Sequence, residues 1–210
     1  MNALEEYILD HIDPEPDLLK KINRETHAKR LYANMISGHL QGRFLAMIAK
    51  MIEAKRVLEV GTFTGYSALC FAEGVVNSGE VHTIEVNDEL KDLLRVYFNE
   101  SEHGHKIHLH IGNAVSIIPT FPNESFDLAF LDADKEDYWN HYEQILPKLR
   151  RGGVLMVDNT LWYEKVTKKA KKSDVATQAV QDFNNKVASD NRVEKVILPM
   201  RDGITLIRKK

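Results

Sequence analysis

Apolar residues first recur at helical spacing along this chain and then gather in short runs that are typical of buried strands. The spacing over residues 4–12 predicts a first helix, which ends at the break formed by Asp13-Pro-Glu-Pro16. Two more helices are predicted before the first strand, over residues 17–32 and 40–52. We expect these helices, within residues 1–54, to cover one side of a sheet.

Five short apolar runs, separated by helical segments, follow from Arg56 onward. They span residues 57–60, 81–86, 107–111, 128–131 and 154–157. Strands that alternate with helices of this length form βαβ units, so the pattern predicts a mostly parallel sheet with right-handed crossovers. The chain is therefore interpreted as an α/β protein with a Rossmann-like, doubly wound sheet.

The last two apolar runs follow a different pattern. Residues 193–198 and 204–207 flank Arg201-Asp202-Gly203, which is too short to hold a crossover helix. Strands joined by such a turn pair antiparallel, so the sheet is predicted to end in an antiparallel hairpin.

Length, charge and cysteine content narrow the class of protein. The 210 residues fit one domain, predicted over residues 1–210, and the formal net charge of −3 provides no basic field for nucleic acid. A single cysteine, Cys70, lies in an apolar helical stretch, which fits a reducing compartment. Neither an 18-residue apolar run nor a leader pattern is found. We expect a cytoplasmic protein with no membrane or nucleic-acid partner.

A glycine-rich turn after the first strand is the best candidate for a cofactor site. Gly61 and Gly65 bracket the turn in a G-x-x-x-G spacing, which differs from the dinucleotide fingerprint and makes nicotinamide cofactors the weaker interpretation. Glu85 ends the second strand, where a carboxylate can accept hydrogen bonds from both ribose hydroxyls. Gly112-Asn113-Ala114 follows the third strand and is a weaker candidate for the adenine side. A purely structural glycine turn and a solvated strand-end carboxylate are the alternatives.

Polar side chains follow the fourth and fifth strands. Asp132, Asp134 and Lys135 come directly after the fourth strand, and Asp158 and Asn159 end the fifth. Because neighbouring parallel strands end at one edge of the sheet, we expect these groups to converge there. Carboxylate and amide oxygens suit Mg²⁺, Ca²⁺ or Mn²⁺ better than zinc. The alternative is that these residues merely cap the helices that follow.

Three segments of the chain resemble the cation-dependent O-methyltransferases that use S-adenosylmethionine, the group that contains catechol and caffeoyl-CoA O-methyltransferases. The segments span residues 57–72, 126–138 and 149–162, and the resemblance extends from Met35 to the C-terminus. It implies a seven-stranded sheet whose last strand is antiparallel, and a homodimer formed through the N-terminal helices.

The resemblance also implies a role for individual residues. The family's metal ligands fall on Asp132, Asp158 and Asn159, and its catalytic lysine falls on Lys135. The positions that hold S-adenosylmethionine in the family fall on Ser37, Glu59, Gly61, Thr62, Ser67, Glu85, Ala114 and Asp134. Glu164 stands where the family commonly has a glycine, which leaves the conformation of that loop open.

The expected activity is methyl transfer to a phenolic small molecule with two adjacent hydroxyls. A divalent cation, Mg²⁺ first and Ca²⁺ or Mn²⁺ as alternatives, would bind both oxygens and lower the phenol pKa, and Lys135 would take the proton. Five lysines in residues 165–172 are interpreted either as a solvated loop or as a clamp on an anionic substrate tail. Trp162 and Tyr163 are candidates for a wall against an aromatic ring.

Three other functions share parts of this pattern. A nicotinamide-dependent reductase has the same architecture but should show G-x-G-x-x-G. An N-methyltransferase would keep the cofactor half but typically has Asn-Pro-Pro-aromatic where this chain has Asp132-Ala-Asp-Lys135. A non-catalytic cofactor-binding module would have no reason to keep metal ligands beside a placed lysine.

Overall fold

A computed structural model describes residues 3–210, which form eight α-helices and seven β-strands. The helices are α1 (Ala3–Asp10), α2 (Asp17–Lys29), α3 (Gly38–Met51), α4 (Tyr66–Gly74), α5 (Lys91–Glu100), α6 (Ala114–Ile117), α7 (Tyr138–Ile145) and α8 (Val175–Ser189). The strands are β1 (Arg56–Val60), β2 (Glu80–Glu85), β3 (Ile107–Ile111), β4 (Phe126–Leu131), β5 (Leu149–Val157), β6 (Val193–Leu198) and β7 (Ile204–Lys209). Within the described part of the chain, every helix is too short or too polar to cross a membrane.

All seven strands belong to one sheet, in the order β3-β2-β1-β4-β5-β7-β6. Strands β1 to β5 pair in parallel, whereas β7 runs antiparallel to both β5 and β6. This arrangement confirms the predicted Rossmann-like, mostly parallel, seven-stranded sheet with an antiparallel C-terminal hairpin. The strand order reverses direction at β1 and β4, whose carboxyl ends form the switch point where ligands bind in such sheets.

Apolar side chains alternate between the two faces of the sheet, as the pleat of a strand requires. On one face Val57, Leu128 and Phe130 pack in a cluster with α2, α3, α4 and α5. On the other face Leu58 and Leu131 pack with α7 and α8. The central strands are therefore buried on both sides, and the polar residues at their carboxyl ends are held by a rigid support.

Two boundaries differ from the sequence prediction by more than two residues. Strand β5 begins at Leu149, earlier than the apolar run 154–157. The pattern of apolar residues did not predict this start, because the first half of the strand carries the exposed Arg150 and Arg151. Helix α2 ends at Lys29, short of residue 32, because Arg30 is extended. Local polarity hides the first boundary, and backbone conformation sets the second.

Gly61 allows β1 and β4 to approach each other at the switch point. Its φ of +101° is unfavourable for other residues, and a Cβ at this position would lie 1.9 Å from the backbone oxygen of Asp132. The glycine is thus required by a close backbone approach that brings the cofactor turn next to the β4 end.

Replacing Gly61 by alanine should destabilise the fold more than the positive φ alone explains. We expect a loss of roughly 3 kcal/mol for Gly61→Ala, because backbone strain and a steric clash add. Gly38→Ala is the matched control: Gly38 also has positive φ (+75°), but its added Cβ would meet only Arg201 Nη1 at 3.9 Å. The control should lose about 1–2 kcal/mol in urea unfolding. Equal losses in the two variants would contradict the proposed clash.

Candidate active site

A cleft at the carboxyl edge of the sheet collects several residues that the resemblance assigned to the cofactor. Ser37, Gly61, Thr62 and Ser67 line it together with Asp132. The remaining lining residues, which the sequence reasoning missed, are Met35, Ile36, Phe63, Thr64 and Tyr66. They neighbour the predicted residues along the chain, so proximity in sequence was the available signal. We call this group of residues the cofactor cleft.

Glu59 is a fully buried carboxyl group at the end of β1, beside the cofactor cleft. Its Oε2 accepts a hydrogen bond from Thr83 Oγ1 at 2.5 Å, and Thr83 Oγ1 lies 2.5 Å from Thr62 Oγ1. Its Oε1 has no hydrogen-bond partner among residues 3–210. Burial raises the pKa of Glu59 to about 8, although the hydroxyls of Ser67 and Thr83 oppose this shift. An unpartnered buried oxygen at this place suits a donor group on a ligand.

Glu85, at the end of β2, is held in one orientation by the backbone. Its Oε2 accepts from the Phe63 amide at 2.7 Å and its Oε1 from the Asn87 amide at 2.8 Å. Each carboxylate oxygen has a second acceptor position, so two ligand hydroxyls can still be bound. The side chain is buried.

Ala114 and Asp134 were also expected to contact the cofactor, and, like Glu59 and Glu85, they do not line the cleft with Ser37. Ala114 begins α6 and is buried, and Asn113 caps this helix by accepting from the Val115 amide at 2.8 Å. Asp134 is exposed and precedes a short 3-10 helix without capping it through its side chain. Ala114 and Asp134 both follow the carboxyl end of a strand, as the sequence predicted.

Lys135 lies at the centre of a group of oxygens where β4 and β5 end. Its Nζ donates to Asn159 Oδ1 at 2.7 Å and to the Tyr138 hydroxyl at 2.6 Å. Asp132 Oδ1 lies 3.3 Å away, and the Ala133 carbonyl lies 3.1 Å away. The ammonium group therefore lies among acceptors that would equally suit a metal cation.

Asp158 is buried at the end of β5, beside Asp132, because Val157 and Leu131 are in register. Its Oδ1 accepts from the Asn159 amide at 2.8 Å, and its Oδ2 accepts from Gln41 Nε2 at 2.7 Å. Burial and the Asp158 carboxylate raise the pKa of Asp132 to about 6, and Lys135 opposes this shift. Two carboxylates close together in a buried place form an anionic site.

Gln41, on α3, is a site residue that the sequence reasoning missed. Arg201 Nη1 lies 3.0 Å from Gln41 Oε1, and a guanidinium group can only donate. The amide nitrogen of Gln41 must therefore face Asp158. Arg201 also donates to the backbone oxygens of Ile36 and Ser37 in the cofactor cleft. The one available signal was a polar residue within an otherwise apolar helical pattern.

The donor set fits a hard divalent cation. Asp132 and Asp158 offer carboxylate oxygens and Asn159 an amide oxygen, and Lys135 already binds two of these three residues as a cation would. Asp158 and Asn159 are followed by a loop and cap no helix directly. The helix-cap alternative therefore does not account for them.

The segment after Asn159 passes near Lys135 with an unusual backbone conformation. Trp162, Tyr163 and Glu164 all have positive φ values, of 47°, 54° and 58°. Asp202, in the β6–β7 turn, stabilises this conformation: its carboxylate accepts from the Tyr163 amide and its carbonyl from the Leu161 amide. Glu164 thus adopts a conformation that favours glycine. Lys135 Nζ lies 5.7 Å from the centre of the Trp162 ring.

Comparison with known proteins agrees with this geometry. The family model described as O-methyltransferase matches residues 10–210. Caffeoyl-CoA O-methyltransferase 2 of Zea mays is 36% identical to this chain, and the match covers 98% of this chain and 82% of the relative.

Two solved structures share the whole fold. The O-methyltransferase TomG of Streptomyces achromogenes, in complex with SAM, is 27% identical, with a TM-score of 0.91 over 100% of this chain and 96% of that one. The O-methyltransferase from Bacillus cereus, in complex with SAH, is 26% identical, with a TM-score of 0.88 over 100% and 98% of the two chains. The sequence match, the shared fold and the cleft at the switch point together show that this chain belongs to the O-methyltransferase family.

Proposed function

We propose that this protein transfers a methyl group from S-adenosylmethionine to one hydroxyl of a vicinal diol, in a reaction that requires a divalent cation. The observation that carries the proposal is the position of Asp132, which lines the cofactor cleft and also binds Lys135. The methyl donor in the cofactor cleft and Lys135, which would accept the proton, would thus both lie next to Asp132.

The cofactor cleft provides groups that complement S-adenosylmethionine. When bound, this cofactor supplies a methyl group on a positively charged sulfonium. A cationic donor on the cofactor would favour the ionised form of Glu59, whose Oε1 has no protein partner, and the fixed carboxylate of Glu85 is suited to the ribose hydroxyls. The relatives from Streptomyces achromogenes and Bacillus cereus, which were solved with SAM and SAH, support this assignment.

Asp132, Asp158 and Asn159 are the residues that would hold the cation. A divalent cation at this site would lower the pKa of a phenol and fix two adjacent oxygens. Gln41 holds Oδ2 of Asp158 in place, and the Asn159 amide holds Oδ1, so the carboxylate is oriented before any ligand binds.

Lys135 is the proposed general base. Its Nζ is held by Asn159 and Tyr138, close to where a phenol beside Asp132 would lie. In its neutral form Nζ can accept the phenol proton, and added positive charge nearby favours that neutral form. Trp162 would limit the position of the aromatic ring.

Family membership disfavours the nicotinamide-dependent reductase that the sequence left open. Absence of methyl transfer to any phenol would instead favour the non-catalytic cofactor-binding module.

The homodimer and the cytoplasmic location stay predictions. The exposed apolar side chains of Leu4, Tyr7, Met47 and Met51 on α1 and α3 are consistent with a subunit contact.

Removing divalent cations should abolish activity. Without a cation at Asp132, Asp158 and Asn159, a diol is neither acidified nor positioned, so turnover in excess chelator should fall to background. Adding Mg²⁺ should restore turnover, and binding of S-adenosylhomocysteine, measured by calorimetry, serves as a control for intact protein. Full activity in excess chelator would refute the metal requirement.

Substitutions at Glu85 and Lys135 should separate cofactor binding from chemistry. Glu85→Ala should weaken S-adenosylhomocysteine binding about 10–100-fold, because two charge-assisted hydrogen bonds are lost. Lys135→Ala should lower kcat about 10²–10⁴-fold with nearly unchanged cofactor affinity. Lys20→Ala, which removes an exposed lysine paired with Asp17 on α2, is the matched control. An equal loss of cofactor affinity at positions 85 and 135 would show that the two roles are wrongly assigned.

Substrates with one and with two ring hydroxyls should differ sharply. A catechol such as a dihydroxybenzoate or a caffeoyl group should be methylated, and the matching monophenol should not, because the second oxygen is needed for chelation. If the lysines of residues 165–172 bind an anionic tail, carboxylated or CoA-linked catechols should show a lower KM, and salt should shrink the difference. Comparable kcat/KM values for monophenol and diol would exclude the chelation mechanism. Salt-independent KM values would exclude only the role of the lysines.

A further inference from the structure

A cluster of histidines lies on the sheet far from the candidate active site. Glu80 and His82 lie on β2 and His108 and His110 on β3, and the register pairs His82 with His108. Within each strand these residues are two apart, so all four side chains point to the same face. Glu80 begins the strand that Glu85 ends, which places the Cα atoms of the two residues about 16 Å apart.

Glu80, His82 and His108 each offer one ligand atom, and these atoms all lie within 4.8 Å of one another. The His82 and His108 rings are stacked, with centroids 4.8 Å apart and planes inclined by 18°. His108 is exposed, so its ring can rotate until its lone pair meets a shared ion. His82 is almost buried between Phe121 and Phe126 and holds its position.

Neighbouring groups determine the tautomer of His82. Arg56 Nη2, which can only donate, lies 3.1 Å from His82 Nε2, and Glu80 Oε2, which accepts, lies 3.2 Å from the same nitrogen. These two contacts favour opposite tautomers. With the guanidinium in place we assign the lone pair to Nε2 and the proton to Nδ1, which donates to His110 Nε2 at 3.1 Å. Metal-binding histidines are oriented in this way, with one nitrogen free and the other donating to a second group. Burial also lowers the pKa of His82 to about 4, so the ring is neutral.

A cation already lies between the two inner ligands. The Arg56 guanidinium contacts His82 Nε2, and its Nε lies 3.3 Å from Glu80 Oε2. The fit is poor, because Arg56 Nε is buried and makes no hydrogen bond to any residue of the described chain. Arg56 has other contacts available, since its Nη1 lies 3.4 Å from the Ser125 carbonyl and its guanidinium lies over the Phe126 ring at 4.8 Å.

We propose that Glu80, His82 and His108 form a second metal site, which binds a transition-metal ion such as Zn²⁺ in place of the Arg56 guanidinium. Two imidazoles and one carboxylate, with water as the fourth ligand, suit Zn²⁺. The oxygen ligands at Asp132, Asp158 and Asn159 suit Mg²⁺ instead. The two sites would therefore select different ions at opposite edges of the sheet.

Titration of the full chain with Zn²⁺ by calorimetry, and with Co²⁺ by visible absorption, tests the proposal. Both ions could also enter the active site, so the titrations use Asp132→Asn as the background, which weakens that site. In this background we expect one remaining Zn²⁺ site and the absorption bands of four-coordinate Co²⁺. Loss of all binding in Asp132→Asn would overturn the proposal and point to a single metal site at the catalytic edge.

Substitutions at the cluster locate the remaining site. In the same background His108→Ala and Glu80→Gln should each weaken Zn²⁺ binding at least tenfold, and both positions tolerate change because their side chains are partly or fully exposed. His27→Ala, which removes an exposed histidine bound only to the Asn23 carbonyl, is the matched control and should bind as the background does. Unchanged binding in both cluster variants would overturn the proposal. Arg56→Gln should bind Zn²⁺ more tightly than the background does. Weaker or equal binding would overturn the proposal that the metal ion takes the place of the Arg56 guanidinium.

Discussion

Negative charge at the ends of two adjacent central strands is the constraint on which the rest of the site depends. Asp132 and Asp158 lie side by side because β4 and β5 are parallel and in register. Neighbouring carboxylates that are wholly or partly buried are unfavourable unless cations or hydrogen-bond donors compensate their charge. Lys135 contacts the Asp132 carboxylate, and Gln41 contacts the Asp158 carboxylate. The elements that carry these two side chains therefore stabilise the paired carboxylates.

Compensation at Asp158 connects parts of the chain that are distant in sequence. Gln41 comes from an N-terminal helix, and the Arg201 guanidinium that orients it comes from the β6–β7 turn. The same guanidinium binds the backbone at Ser37, which lines the cofactor cleft. Two side chains, Arg201 and Gln41, thus connect the backbone of the cleft to the Asp158 carboxylate. The turn of the antiparallel hairpin supplies the guanidinium that orients Gln41.

The sequence was sufficient for the sheet and for the strand-end residues, because these depend on local periodicity. Apolar runs locate the central strands, and Asp132 and Asp158 follow them directly. The Gln41–Asp158 contact could not be predicted, since it joins residues 117 positions apart and depends on how α3 packs. The β5 start was missed because Arg150 is exposed at the sheet end. The positive φ of Glu164 was equally hidden, because it is stabilised by contacts of Asp202.

The two edges of the sheet differ in the chemistry of their polar residues, and the parallel topology explains why. At the carboxyl edge, strand ends lead into loops, so short acidic and amide side chains converge on a cleft. Near the amino edge, His82 and His108 project from the strands themselves, and His82 packs against Phe121 and Phe126. Apolar neighbours keep an imidazole neutral, whereas clustered carboxylates raise their own affinity for a cation. Fixed backbone positions thus place clustered oxygen donors at the carboxyl edge, and imidazole nitrogens beside Glu80 near the amino edge.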